Sequence, residues 1–348
     1  MAHRVLITGL ATFWGGLVAQ RLEADPSIEV LIGLDTREPQ VELERTEYVR
    51  TDENYSILAR IVKAARIDTI VHTFLVVDSA QMRPRLMHEI NVIGTMNLFA
   101  AASAPGSTVR DVVVKSSSLV YGASKEDPVW FREETSRSRA PRTRVEQSLE
   151  AVEGYVRDFA EDNPHVNVTL LRFSNVLGPD IVTSFSKALE LPVVPSIFGY
   201  DPRLQFVHED DVIRSILFVL DRHLPGIYNV AGDGLLPWSE VVNICGKRTV
   251  PLPPIGTSFA ALPLRRLGVQ LPDELLDLLR YGRGIDNRRL KRAGFTYQYT
   301  SAGAVEAFVE ALRLRMTVGG TDNEYRYERD VEQFFRHSPA VVRDGEAS

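Results

Sequence analysis

The stretch from Arg4 to Asp35 constrains the fold more than any other. Arg4-Val5-Leu6-Ile7-Thr8-Gly9 is a short apolar run that stops at a glycine. Leu10-Ala11-Thr12-Phe13-Trp14-Gly15-Gly16 follows, then a helical stretch from Leu17 to Leu22. A second apolar run, Val30-Leu31-Ile32-Gly33-Leu34, ends at Asp35. The order is strand, glycine turn, helix, strand, acid, the outline of a dinucleotide-binding βαβ unit. In that unit Gly9 makes the tight turn and Gly15 lets the helix pack closely. Asp35, twenty residues past Gly15, stands where a carboxylate accepts hydrogen bonds from an adenosine ribose. The pyrophosphate is expected at the helix N-terminus, against unpaired N–H groups and the positive end of the dipole. Thr12 stands where the spacing asks for a glycine. It either lifts the phosphate or offers it a hydroxyl.

Beyond Asp35 the apolar runs keep alternating with helical patterns. Glu47 to Arg50 reads as a third strand, Ile57 to Ala65 as a helix, and Thr69 to Val76 as a fourth strand. Glu89 to Ala102 reads as a helix and Val112 to Ser116 as a fifth strand. Such alternation predicts a doubly wound parallel sheet with helices on both faces. Its 348 residues suffice for one large or two modest domains.

The net charge of −6 gives no support for a nucleic-acid surface. Cys245 is the only cysteine, which excludes an intramolecular disulfide and suits a reducing, cytoplasmic setting. No apolar run approaches the roughly eighteen residues of a membrane span. The histidines lack zinc spacing, so no metal is expected.

Several later segments fall at familiar intervals. They are Asp52, His72, Asn91-Val92-Ile93-Gly94-Thr95 and Ser116-Ser117-Ser118-Leu119-Val120-Tyr121-Gly122. Leu171-Arg172-Phe173-Ser174-Asn175-Val176-Leu177-Gly178-Pro179, Phe206 to Val212 and Tyr228-Asn229-Val230 continue the series. Over about residues 4 to 312 the chain resembles the extended short-chain dehydrogenase/reductases, the NAD-dependent epimerase/dehydratase family that includes UDP-galactose 4-epimerase.

The resemblance implies a Rossmann-type α/β fold with a smaller C-terminal substrate lobe. Residues 1–178 and 205–235 would bind the dinucleotide, 179–204 and 236–316 would form the lobe, and 317–348 a tail. Phe13 and Trp14 would back the pyrophosphate beside Gly9, Thr12 and Gly15. Thr36 and Arg37 would flank the ribose with Asp35, and Asp52 and Glu53 would lie at the adenine. Thr73, Phe74 and Leu75 would run past the cofactor, with Asn91 and Ser116 close to it. Phe173 and Ser174 would border the nicotinamide. Asn175, Arg203, Gln205 and Arg283 are the implied substrate contacts, and the substrate is a small molecule of the nucleotide-sugar kind. Asp35 favours NAD by repelling a 2′-phosphate, while Arg37 leaves NADP open. A homodimer through the helices at 89–102 and 143–162 is implied as well. The bland readings are a turn acid for Asp52, a satisfied structural histidine for His72 and a helix N-terminus for Asp210-Asp211.

The family's chemistry implies a tyrosine and, four residues later, a lysine, which one helical turn places on the same face. Ser117 matches its catalytic Ser/Thr. Tyr121 with Lys125 fits the spacing, but it follows Ser117 too closely, and Glu126-Asp127-Pro128 breaks any helix there. The pair belongs on the helix from Thr143 to Asp162, where alignment on Glu153 and Pro164 gives Val145 and Leu149. Val145, Leu149, Val152, Val156 and Phe159 form an apolar stripe instead. Three readings stand: a dinucleotide-binding protein without the ordinary epimerase reaction, an enzyme with a substituted relay through Tyr121, and a regulatory or scaffold protein that senses NAD(H).

Overall fold

The computed structural model describes residues 3–51, 54–80, 82–257 and 271–318. Seven strands form one sheet: β1 (His3–Thr8), β2 (Ile28–Asp35), β3 (Glu47–Arg50), β4 (Thr69–His72), β5 (Asp111–Ser117), β6 (Asn167–Phe173) and β7 (Gly226–Val230). Their order is β7-β6-β5-β4-β1-β2-β3, and every pairing is parallel. The order reverses at β1 and β4, where a doubly wound sheet opens a crevice at its carboxyl edge.

The strands are near-continuous apolar runs because both faces are buried. On one face Val5, Ile7, Val71, Val113 and Leu171 pack under α1 (Phe13–Glu23). On the other, Leu6, Ile70, Val112 and Leu170 meet α2 (Tyr55–Ala64) and the helices that follow β4. Those helices are α3 (Pro84–His88) and α4 (Thr95–Ala102), joined by a π-helical turn over Glu89–Gly94. Next comes α5 (Arg144–Asp162), which starts on a capping box between Thr143 and Glu146.

The second half leaves and re-enters the sheet. It contributes α6 (Ser184–Glu190), α7 (Glu209–Arg222), α8 (Trp238–Ile244), α9 (Asp273–Tyr281), α10 (Arg288–Arg292) and α11 (Ser301–Val318). Phe206, Trp238, Leu275 and Phe308 centre a separate apolar core there.

Two element readings change. The fourth strand ends at His72 rather than Val76, because the Asn91 amide claims both the N–H and the C=O of Val76, each at 2.8 Å. The helix expected from Glu89 begins earlier, with Pro84 at its first position, where a missing N–H costs nothing. The apolar stripe of α5 is buried inside the chain: Val145, Leu149 and Val152 have no exposed surface. The tail beyond 318, Asp52 and Glu53 lie outside the described residues.

Candidate functional site

A cleft of about 1080 Å³ opens at the carboxyl ends of β1, β2, β4, β5 and β6 and is closed on its far side by α6 and α9. Its floor is the turn after β1. Gly9 has φ +79°, and a Cβ there would lie 2.2 Å from that of Phe74. A Cβ on Gly15 would lie 2.1 Å from the Gly9 carbonyl, so α1 approaches the turn as closely as backbone allows. Thr12 is the N-cap of α1. Its Oγ accepts the Gly15 N–H at 3.1 Å and donates to the Gly9 carbonyl at 2.6 Å. The hydroxyl is therefore spent within the turn, and the reading in which it donates to a phosphate is corrected.

Phe13, Trp14 and Phe173 line the same region, with Trp14 stacked on Phe173 at 6.3 Å between ring centroids. Asp35 sits at the rim with Thr36 and Arg37. Its carboxylate accepts the Ala11 N–H at 3.0 Å and the Arg37 N–H at 3.1 Å, which fixes its direction and leaves lone pairs for further donors. Thr73, Phe74, Leu75, Ser116, Ser117, Ser174 and Asn175 also line the cleft. Ser174 is the informative one among them. Its Oγ is buried and has no hydrogen-bond partner. A buried hydroxyl left unsatisfied in a protein cleft costs about 1–3 kcal/mol, which a polar ligand would relieve.

His72 lies beneath the floor, wholly buried, with Nδ1 2.6 Å from the Thr8 hydroxyl and Nε2 2.9 Å from that of Thr95. Burial, then the neighbouring Lys115, pushes its pKa down to about 3, so it is a neutral structural ring. Asn91 does not line the cleft; it holds the loop after β4 from behind through Val76.

Tyr121 is turned away from the cleft. Its hydroxyl is 2.8 Å from Asn229 Oδ1 and 3.1 Å from the Arg132 carbonyl, and it accepts from Arg172 at 2.7 Å. Burial raises the phenol above its ordinary pKa, against the lowering effect of Arg172. This placement corrects its reading as a catalytic candidate. Arg172 in turn pairs with Glu153, which also accepts from Ser116 Oγ at 2.8 Å. Ser117 caps the turn after β5 by accepting the Leu119 N–H at 3.2 Å.

Three of the implied substrate contacts, Arg203, Gln205 and Arg283, do not line the cleft. Gln205 bridges the Gly232 carbonyl and the Ile285 N–H, each at 2.7 Å. Arg283 is buried and donates to the Gly122 carbonyl at 2.7 Å; burial lowers its pKa to about 10. Arg203 is exposed outside the cleft, in a two-residue antiparallel pairing with Leu236 and Pro237. Asn175 does reach the cleft, while its amide also donates to the Gln205 carbonyl at 2.9 Å.

The position expected for the proton-transfer pair is filled. Val145 and Leu149 pack against Met87, with Val76, Val77, Met82 and Leu119 around them. Several of these, Val76, Val77, Met82 and Leu119, also form the adjoining wall of the cleft. Sequence reasoning passed over Lys115, a residue of the cleft wall whose Nζ donates to the Leu75 carbonyl at 3.0 Å. Burial pushes its pKa down to about 7. The signal was a lysine directly after three valines. Two rim contacts were also unforeseen: Ser79 with Glu274 at 2.6 Å and Ser184 with Asp78 at 2.7 Å, which tie the loop after β4 to α9 and α6.

A model of the NAD dependent epimerase/dehydratase family matches residues 5–231. An uncharacterised protein of Mycobacterium tuberculosis is 37% identical over 325 residues, covering 89% of this chain and 84% of its own. Among solved structures, the UDP-glucose 4-epimerase of Thermotoga maritima with UDP-glucose has a TM-score of 0.68 at 18% identity and covers 90% of this chain and 99% of its own. MoeE5 in complex with UDP-glucose and NAD has a TM-score of 0.67 at 22% identity, with the same coverage. At these identities the two structures speak for the fold. The family model and the mycobacterial relative carry the assignment: the chain belongs to the NAD dependent epimerase/dehydratase family.

Proposed function

We propose that this protein binds NAD(H) in the cleft above Gly9 and Asp35, beside a pocket for a nucleotide-sugar-like ligand, and that it lacks the ordinary epimerase reaction. The observation that carries the second half is the buried cluster of Met87, Val145 and Leu149 where the tyrosine and lysine are expected. The first half is supported by the glycine cradle, the directed Asp35 carboxylate and the orphaned Ser174 hydroxyl. In this reading Asp35 takes the adenosine ribose, the first turn of α1 faces the diphosphate, and Phe173 and Ser174 border the nicotinamide. Asp35 sets a preference for NAD over NADP. When bound, NAD supplies a hydride acceptor. The chain's own residues hold and orient it and exclude water through Phe13, Trp14 and Phe173. Without a phenol to exchange the hydroxyl proton, turnover is expected to fall by about 10²–10⁴-fold relative to an armed site.

Calorimetric titration with NAD, NADH, NADP and NADPH, with Asp35→Ala as the comparison, tests the binding half. Absence of heat with all four sinks it. Incubation with UDP-glucose and UDP-galactose tests the other half, since interconversion at the rate of an ordinary epimerase contradicts a disarmed site.

A further inference from the structure

Lys115 is an unusual occupant of the cleft. It extends β5 beyond Val112, Val113 and Val114, on the sheet face covered by α1, and is 6% exposed. Its one hydrogen bond among the described residues is to the Leu75 carbonyl, whereas an ammonium has three donors. Nζ lies 5.8 Å from the centroid of the Trp14 ring, in the first turn of α1. Burial is the whole cause of its lowered pKa, and no carboxylate pairs with it among the described residues.

The charged and titratable groups around it are accounted for elsewhere. His72 of β4 is neutral. Arg172 of β6 points to the opposite face and pairs with Glu153. The first turn of α1 holds no acid. Across the cleft, Asp78 is engaged by Ser184 and Glu274 by Ser79, and the exposed Asp180 lies at the rim.

The helix terminus itself is one donor short. Thr12 takes the Gly15 N–H that a glycine at its position would leave facing an anion. We propose that Lys115 makes good that loss: it is the cation that meets the diphosphate of a bound dinucleotide, and it takes up a proton from solvent as the dinucleotide binds. The inference rests on the dinucleotide reading above. It assigns the diphosphate to the dinucleotide rather than to a nucleotide sugar because Lys115 stands beside Trp14 in the first turn of α1.

The sign of the coupling follows from the free protein. With its pKa near 7 the buried amine is substantially neutral at and above neutral pH. Two phosphate charges nearby favour the ammonium. Affinity therefore falls as pH rises above about 7, approaching tenfold per pH unit for one coupled proton.

Calorimetry of NADH binding at pH 8 in buffers of differing ionisation heat measures the proton count directly. The expected result is uptake of close to one proton per NADH by the full-length protein and none by Lys115→Met or Lys115→Arg. Lys115→Arg, whose charge is permanent, should also keep its affinity from pH 7 to 9, while the parent weakens. Acetylation of Lys115 by limiting acetic anhydride, read by mass spectrometry, should be blocked by NADH and not by UDP. NADH binding without proton uptake, or with uptake that survives Lys115→Met, overturns the inference and leaves dinucleotide binding standing. Protection by UDP alone also overturns it. Failure of every dinucleotide to bind removes both readings together.

Discussion

Arg172 donates to the Tyr121 hydroxyl at 2.7 Å while its guanidinium carbon lies 4.8 Å from the centre of the same ring. One arginine thus holds the only nearby phenol of the strand-five turn by both its edge and its face. Tyr121 stacks on Phe131 from the other side, at 4.7 Å. Its place is structural, so Tyr121→Phe should destabilise the fold by about 1–3 kcal/mol, the cost of leaving buried partners unpaired. Urea unfolding measures that loss. NADH affinity should stay within about twofold, and a larger loss would return Tyr121 to the site.

Glu153 anchors the same network, bound by Arg172 and Ser116. Glu153→Ala strands a buried guanidinium and should cost about 3–5 kcal/mol. Replacing both partners, as Glu153→Met with Arg172→Met, should restore most of it, because no uncompensated charge remains. If the double variant unfolds at lower urea than Glu153→Ala, the stranded guanidinium is not the source of that variant's loss.

Thr12→Gly tests the competition between cap and ligand. A glycine N-cap costs only a few tenths of a kcal/mol. It releases the Gly15 N–H, so the dinucleotide should bind about tenfold tighter, the worth of one hydrogen bond to a charged group. Equilibrium titration before and after the exchange decides it; weaker binding contradicts the assignment of the anion to this helix end.

Two buried groups make stability depend on pH in opposite senses. The amine of Lys115 drops from 10.5 to about 7, so the unfolded chain binds more protons between those values and stability rises with pH across that window. The Glu209 carboxyl, held by the Asp180 and Ile181 N–H groups, rises from 4.5 to about 7, chiefly through burial. The folded chain then binds more protons between 4.5 and 7, and stability falls as pH rises there. Both penalties are complete near pH 7. Lys115→Met and Glu209→Gln should therefore raise the melting temperature most near neutrality. The Lys115→Met gain should vanish toward pH 11, and the Glu209→Gln gain toward pH 4. Thermal scans across pH check both; equal gains at every pH count against these groups.

The parallel sheet and the turn from Gly9 to Asp35 were legible because their signals are local. Glycines at close approaches and unbroken valine and isoleucine runs mean much the same in any context. His72 was also readable, since a lone histidine ending an apolar strand is usually satisfied by its neighbours. Gln205 and Arg283 were not. A polar side chain that ties backbone together inside a lobe has the same sequence signature as one that touches a ligand. Lys115 stayed hidden for another reason. Strand alternation gives its face, but its depth depends on Trp14, which arrives from a segment a hundred residues earlier.

The cluster of Met87, Val145 and Leu149 is also closed to stepwise change. A tyrosine at 145 alone overpacks against Met87, at about 1–3 kcal/mol. A lysine at 149 alone buries a charge with no partner, which costs several kcal/mol. Each exchange alone therefore loses stability, so a polar pair at 145 and 149 has to enter this space as a unit, with Met87 making room.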